Sequence, residues 1–248
     1  TWQLPAEAGI FSLENIYTVS PTFRAEKSLT SRHLTEFWMI EAEMAWMKFD
    51  EMLDLAEGLV KSIVKTCLED CKRELATLKR DTKDLELVIE KPFPRITYDH
   101  ALELLKNKKN MDVKWGKDLR TLEEEKLMEL FDVPVIVTHY PKEVKAFYMP
   151  EDPKNPKVVL GADFLMPGVG EIVGSSEREP DIDKIKARLI AQGEDPKDYE
   201  FYLDTRRYGS VPHSGFGLGL ERIVRWIAGL ETIKDAIAFP RTPNRVYP

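Results

Sequence analysis

Arginines, carboxylates and glycines, far more than any thiol or serine, are the residues of this chain whose spacing could do chemistry. Phe23-Arg24-Ala25-Glu26 closes one strand-like run, Arg32-His33 follows in a polar loop, and Glu36-Phe37 opens the next apolar run. An arginine at a strand end, a cationic loop and an aromatic at the loop's return suit a nucleoside triphosphate, offering charge to its phosphates and a flat face to its base. Taken alone, a solvated hairpin loop accounts for the same residues. Asp163 and Glu171 stand at the ends of a candidate strand pair. Two carboxylates beside a phosphate site hold Mg²⁺ through oxygen ligands; two surface acids flanking a hairpin are the plainer account of that pair by itself. Gly174-Ser175-Ser176 precedes Arg178, and small residues followed by a guanidinium fit a pocket floor that admits a small substrate while the arginine grips its side chain. Gly215-Phe216-Gly217-Leu218-Gly219-Leu220-Glu221-Arg222 lacks the Lys-Ser or Lys-Thr of a phosphate loop and the spacing of a dinucleotide fingerprint. Its glycines instead let a strand pass close to a ligand and run into a helix whose Arg222 can reach back to it.

The elements that must position these residues are legible from periodicity. Residues 16–24 and 37–43 read as strands joined by a charged loop, and residues 44–79 as one long amphipathic helix with Leu53, Ala56, Val60, Val64 and Cys67 on its apolar stripe. Two prolines in residues 91–95 break that helix, residues 98–105 and 121–131 restart helices, and the Lys/Asn/Asp run at 106–117 reads as a solvated connection. Strands are expected at 133–138, 145–149, 158–164 and 170–176, with a proline-rich turn at 150–156. A helix follows at 182–192, and residues 215–229 pass from glycine-rich strand to apolar helix. The sum is an α+β domain, a mainly antiparallel sheet with helices packed on it.

Composition sets the outer limits. The 248 residues are 43% hydrophobic and 32% charged, an ordinary globular profile that excludes disordered and collagen-like chains. A formal charge of -7, from 43 acidic and 36 basic residues, excludes a nucleic-acid binder that works by bulk charge. Two cysteines, Cys67 and Cys71, supply neither a disulfide framework nor a zinc site. The apolar runs fall short of the roughly 18 residues a membrane span needs, and the expected location is cytoplasmic.

Together these blocks resemble the class II aminoacyl-tRNA synthetases. Phe23-Arg24-Ala25-Glu26 through Glu36-Phe37 is similar to that class's second motif, and Gly217-Leu218-Gly219-Leu220-Glu221-Arg222 to its third. Within the class, Arg32-His33-Leu34-Thr35-Glu36-Phe37 and Phe239-Pro240-Arg241 resemble the aspartyl/asparaginyl branch. Tyr202-Leu203-Asp204 and Gly209-Ser210-Val211-Pro212-His213-Ser214-Gly215 resemble its asparaginyl-tRNA synthetases. The resemblance covers the whole chain and implies a class II antiparallel sheet flanked by helices, spanning residues 1–248 as the catalytic domain. It further implies that an anticodon-binding OB domain and the class's first motif, which shapes a homodimer interface, precede Thr1.

The implied activity is activation of asparagine by ATP, with transfer to tRNA(Asn), and Mg²⁺ as metal. The implied catalytic residues are Arg24 and Arg222. ATP would be held by Arg24, Glu26, Arg32, His33, Phe37, Glu171, Gly219 and Arg222; asparagine by Gln3, Glu7, Arg24, Gly174 and Arg178; and Mg²⁺ by Asp163 and Glu171. Aspartate-specific relatives carry Gln-x-x-Lys near Gln3, where this chain has Ala6 at the lysine position and Glu7 after it. Glu7 can accept from an amide NH₂ while Arg178 donates to the amide oxygen, a pair that repels a carboxylate at Glu7. Glu41, where aspartate relatives place Asp, points the same way. Ser175 and Pro5 depart from the Gly and Tyr usual in the family. The alternatives are an aspartyl-tRNA synthetase, a tRNA-independent asparagine synthetase on the same fold, and a non-catalytic synthetase-like regulator.

Overall fold

The structure is a computed structural model that describes residues 1–25 and 32–247. Helix α1 (Gln3–Leu13) leads into strand β1 (Asn15–Phe23) and its antiparallel partner β2 (Glu36–Ala45). Three helices follow, α2 (Phe49–Asp70), α3 (Lys72–Thr77) and α4 (Lys83–Glu90), then a short strand β3 (Arg95–Thr97) with helices α5 (Tyr98–Lys109) and α6 (Thr121–Met128). Strand β4 (Val135–Thr138) precedes a small hairpin, β5 (Glu151–Asp152) and β6 (Asn155–Val159), and the pair β7 (Gly161–Met166) and β8 (Gly170–Glu177). Helices α7 (Ile182–Ala191) and α8 (Glu200–Arg207), strand β9 (His213–Gly219) and helix α9 (Leu220–Ala228) complete the order.

Among the described residues the main sheet runs β1-β2-β9-β8-β7-β4-β3, antiparallel throughout except for the β3/β4 pair. Strand β9, late in the chain, lies between β2 and β8. One face carries Ile40, Ala42 and Met44 of β2, Phe216 and Leu218 of β9, Val173 of β8 and Phe164 of β7. These pack against Met52, Leu53, Ala56, Val60 and Val64 of α2 and Ile223, Trp226 and Ile227 of α9. A second apolar cluster joins α5 and α6 to β4, and a third seats α7 and α8 on Phe147. The α+β expectation is met, and the sheet carries the antiparallel core that the resemblance implied.

Several local expectations change. Residues 3–13, to which periodicity assigned no element, form α1; Pro5 falls in its first turn, where a missing N–H costs little. The expected helix from residue 44 begins at Phe49, because Met44 and Ala45 are still paired with β9. It is interrupted at Cys71, whose φ of -108° and ψ of 30° leave the helical region. Residues 145–149 form no strand: Arg188 donates to the carbonyls of Lys142, Lys145, Ala146 and Met149, taking up acceptors that a neighbouring strand would have used. Helix α5 extends to Lys109 before Asn110 turns left-handed at φ 53°, and α4 and α8 form where no helix was expected.

Candidate functional site

The face of the sheet opposite α2 carries the chemistry. Strand alternation places Phe37, Met39, Glu41 and Glu43 of β2 on this face, and Gly215, Gly217 and Gly219 of β9 beside them. In the β7/β8 pair, Phe164 is opposite Val173 but Leu165 is opposite Glu171, so Ile172 is an extra residue in a bulge. That bulge brings Glu171 and Gly174 to the same side. Asp163, Gly174, Gly217 and Glu41 then form one row across four strands, with Ser176, Gly215 and Glu43 in a parallel row.

The middle of each row is bare backbone, and neighbouring side chains use the space. A Cβ on Gly215 would come within 2.2 Å of the Glu43 carboxyl, and one on Gly217 within 2.8 Å of Met39 Cε. The result is a trough, one end of which is lined by Arg24, Arg32, His33, Phe37, Met39, Glu171, Gly217, Gly219, Glu221 and Arg222. The Arg24 guanidinium lies over the Phe37 ring at 5.1 Å. Glu221 accepts from the Trp38 backbone N–H at 2.9 and 3.0 Å, which ties the start of α9 to β2. Arg222 donates to the Glu171 carbonyl at 2.7 Å and lies 3.6 Å from its carboxylate. Burial works to raise the Glu171 pKa, but Arg222, Lys145 and Arg24 overcome it and hold the carboxyl below its usual range. Arg32 bridges Glu124 and Glu125 at 2.9 Å each. Burial, reinforced by repulsion from Glu171, pushes Glu124 up to about 7 against the pull of Arg32.

At the other end, Glu7 and Arg178 meet in a network deeper than the sequence suggested. Glu7 is 0% exposed, and its Oε2 accepts from Tyr202 Oη at 2.8 Å, Arg206 Nη2 at 2.9 Å and His213 Nε2 at 3.0 Å. Gln3 Nε2 donates to Glu7 Oε1 at 3.3 Å, and Arg178 Nε lies 3.6 Å from it. Burial would raise the Glu7 pKa, but His213, Arg206 and Arg178 hold it at about 2. Arg178 makes its paired hydrogen bonds with Glu43, at 2.5 and 3.1 Å, and a further one with Ser176 Oγ at 2.5 Å. Burial pushes Glu43 up to about 7 even so, opposed chiefly by Arg178. Glu41 accepts from the Trp2 backbone N–H at 2.8 Å.

Asp163 and Glu171 approach Gly174 from two sides: a Cβ there would stand 3.1 Å from Glu171 Oε1 and 4.0 Å from Asp163 Oδ1. Two hard oxygens over a missing side chain fit Mg²⁺ that draws its remaining ligands from phosphates and water. Among the described residues no three His, Cys, Asp or Glu side chains are placed to hold a metal by themselves. Asp163 is also hydrogen-bonded to Lys145; burial raises it to about 6 while Lys145 pulls it down.

The structure thus brings Arg24, Arg32, His33, Phe37, Glu171, Gly219 and Arg222 to one cavity, and Gln3, Glu7 and Arg178 to one network. Glu26 lies outside the described residues. Sequence reasoning missed Glu43, Arg206, Lys145 and Glu124. Glu43 had a readable signal, an acid two residues beyond Glu41 on the same strand face; Lys145 stood out only as a charge opening an apolar run.

A family model described as tRNA synthetases class II (D, K and N) matches residues 3–243. The chain is 53% identical over 247 residues to an asparagine–tRNA ligase of Pyrococcus horikoshii and 51% identical over 247 residues to one of Thermococcus gammatolerans, covering 99% of this chain in both cases. It spans 56% and 57% of the length of those relatives. A crystal structure of asparaginyl-tRNA synthetase from Pyrococcus horikoshii complexed with asparaginyl-adenylate superposes with a TM-score of 0.96 at 52% identity, over 100% of this chain and 57% of that one. Among the described residues no helix is long and apolar enough to cross a membrane.

Proposed function

Because the chain belongs to the tRNA synthetases of class II (D, K and N), we propose that its trough activates asparagine with ATP and passes it to tRNA(Asn), with residues 1–248 as the catalytic domain. The observation that carries the choice of amino acid is the charge around Arg178. Its guanidinium is already matched by the Glu43 carboxyl, with Glu7 3.6 Å away, and Ala6 supplies no further cation. An aspartate side chain would bring a third carboxylate to that point, whereas an amide brings an acceptor and a donor without charge.

In the proposed reaction a carboxylate oxygen of asparagine attacks the α-phosphorus in line. The new P–O bond forms as the bond to the bridging oxygen breaks, and pyrophosphate leaves. The terminal ribose hydroxyl of tRNA(Asn) then attacks the acyl carbon, forming the ester, and AMP departs. Arg24 is assigned to the α-phosphate and the substrate carboxylate, and Arg32 and His33 to the γ-phosphate side. Arg222 is assigned to the γ-phosphate and one face of the adenine, Phe37 to the other face, and Gly219 to the close approach of the nucleotide. Gln3, Glu7, Gly174 and Arg178 are assigned to the amino acid, and Glu26 to the adenine or the tRNA end. Asp163 and Glu171 are assigned to Mg²⁺, which when bound neutralises phosphate charge. No residue acts as a nucleophile, and the rate comes from positioning and charge stabilisation.

In the full-length protein a homodimer and a cytoplasmic location complete the reading. Pyrophosphate exchange with each amino acid tests it: exchange driven by asparagine and not by aspartate is expected. Faster exchange with aspartate, or free asparagine formed from aspartate and ammonia, overturns it.

A further inference from the structure

Lys145 has no role in the reaction as described, yet it sits at the metal-binding end of the trough. Its backbone is held from outside: Arg188 Nη2 and Gln192 Nε2 both donate to its carbonyl, each at 2.9 Å. Its side chain turns inward, only 12% exposed, and lies over the Tyr140 ring at 3.9 Å. There its ammonium donates to Asp163 Oδ2.

That contact divides the two oxygens of Asp163. Oδ2 is taken by Lys145, while Oδ1 is left on the Gly174 side, where Glu171 Oε1 also arrives. A carboxylate without such a tether rotates about its terminal torsion, and the pairing of Oδ1 with Glu171 would be one orientation among several. We propose that Lys145 is a positioning residue for the metal-binding carboxylates, fixing Asp163 through Oδ2 so that Oδ1 is presented beside Glu171. The inference rests on the reading of Asp163 and Glu171 as the Mg²⁺ ligands. Partners that orient metal ligands in this way are typically worth about 10- to 100-fold in metal affinity.

The test is Mn²⁺ binding to the full-length protein with a non-hydrolysable ATP analogue, free Mn²⁺ being read by electron paramagnetic resonance. Lys145→Gln is expected to raise the Mn²⁺ Kd about tenfold while the asparagine KM stays within about twofold, and Lys145→Arg to recover most of the loss. Tyr140→Leu, which keeps the ammonium but removes its aromatic bed, is expected to raise the Kd several-fold and decides the matter if Lys145→Gln does not fold. Asp163→Asn separates the two readings. Weakened binding in Asp163→Asn with wild-type or tighter binding in Lys145→Gln overturns the positioning role alone. Wild-type binding in Asp163→Asn overturns the metal assignment and this inference with it.

Discussion

Phe37 and Arg222 are assigned to opposite faces of one adenine, and each can be removed separately. Phe37→Ala should raise the apparent ATP KM several-fold, because stacking and cation–π contacts of this kind are worth about 0.5–2 kcal/mol. Arg222→Ala should cost more, with a fall in kcat as well, since its charge also serves the transition state. Steady-state kinetics with ATP varied at saturating asparagine checks both; wild-type ATP kinetics in either variant removes that residue's assignment. Glu7 makes a prediction about pH. Its carboxyl is held at about 2 against an ordinary value of 4.5. A depressed folded-state value means stability that is present above about 4.5 and is lost as the pH falls through about 2. The contribution is about 3 kcal/mol by linkage. Urea unfolding between pH 5 and pH 2 should therefore show a fall in stability that Glu7→Gln largely flattens. An unchanged slope in that variant would mean that His213, Arg206 and Arg178 do not hold the Glu7 carboxyl acidic.

At the scale of the element, strand β9 controls the site by what it lacks. Gly215→Ala places a methyl group where the Glu43 carboxyl now lies, and Glu43 can yield only by releasing Arg178. The asparagine KM should rise about tenfold, equivalent to about 1.4 kcal/mol, with the ATP KM within twofold; a parallel rise in both would point to damage of the whole sheet. The glycine run and its helix were legible in the sequence because a strand built of alternating glycine has few other uses. Strands β1 and β2 were legible for a similar reason, their apolar and polar residues marking a two-faced sheet. What could not be read were features fixed by distant partners. The bulge at Ile172 exists only through the register of β7 against β8, and the segment around Lys145 is shaped by Arg188 from another helix. Glu7 could be singled out from the sequence, but the three side chains that enclose its Oε2 come from residues 202–213. No local pattern links those positions.

Over the whole molecule, acidic residues outnumber basic ones, 43 to 36. With a formal charge of -7, the 248 residues alone should bind tRNA(Asn) weakly and with a shallow dependence on salt, since affinity for a polyphosphate tracks the number of phosphates neutralised. Titration of labelled tRNA(Asn) across 50–200 mM salt measures this, and a steep slope would reveal a basic surface that the charge balance hides. The strand order carries a consequence for how the protein is made. Strand β2 ends at Ala45, and the strand that must lie beside it, β9, begins only at His213, about 170 residues later. At ribosomal speeds of about 5–20 residues per second, the β1/β2 hairpin waits roughly 10–30 s with one edge unpaired. The last long strand to be synthesised is the one that fills the gap in the middle of the sheet. Until then neither row of site residues is continuous across the sheet, since Gly215 and Gly217 of β9 join Glu43 and Glu41 to Ser176 and Gly174. In that interval helix α1, made before the hairpin, is available to pack on β1 and β2, whereas α2 packs chiefly on β8 and β9 and α9 follows only after β9.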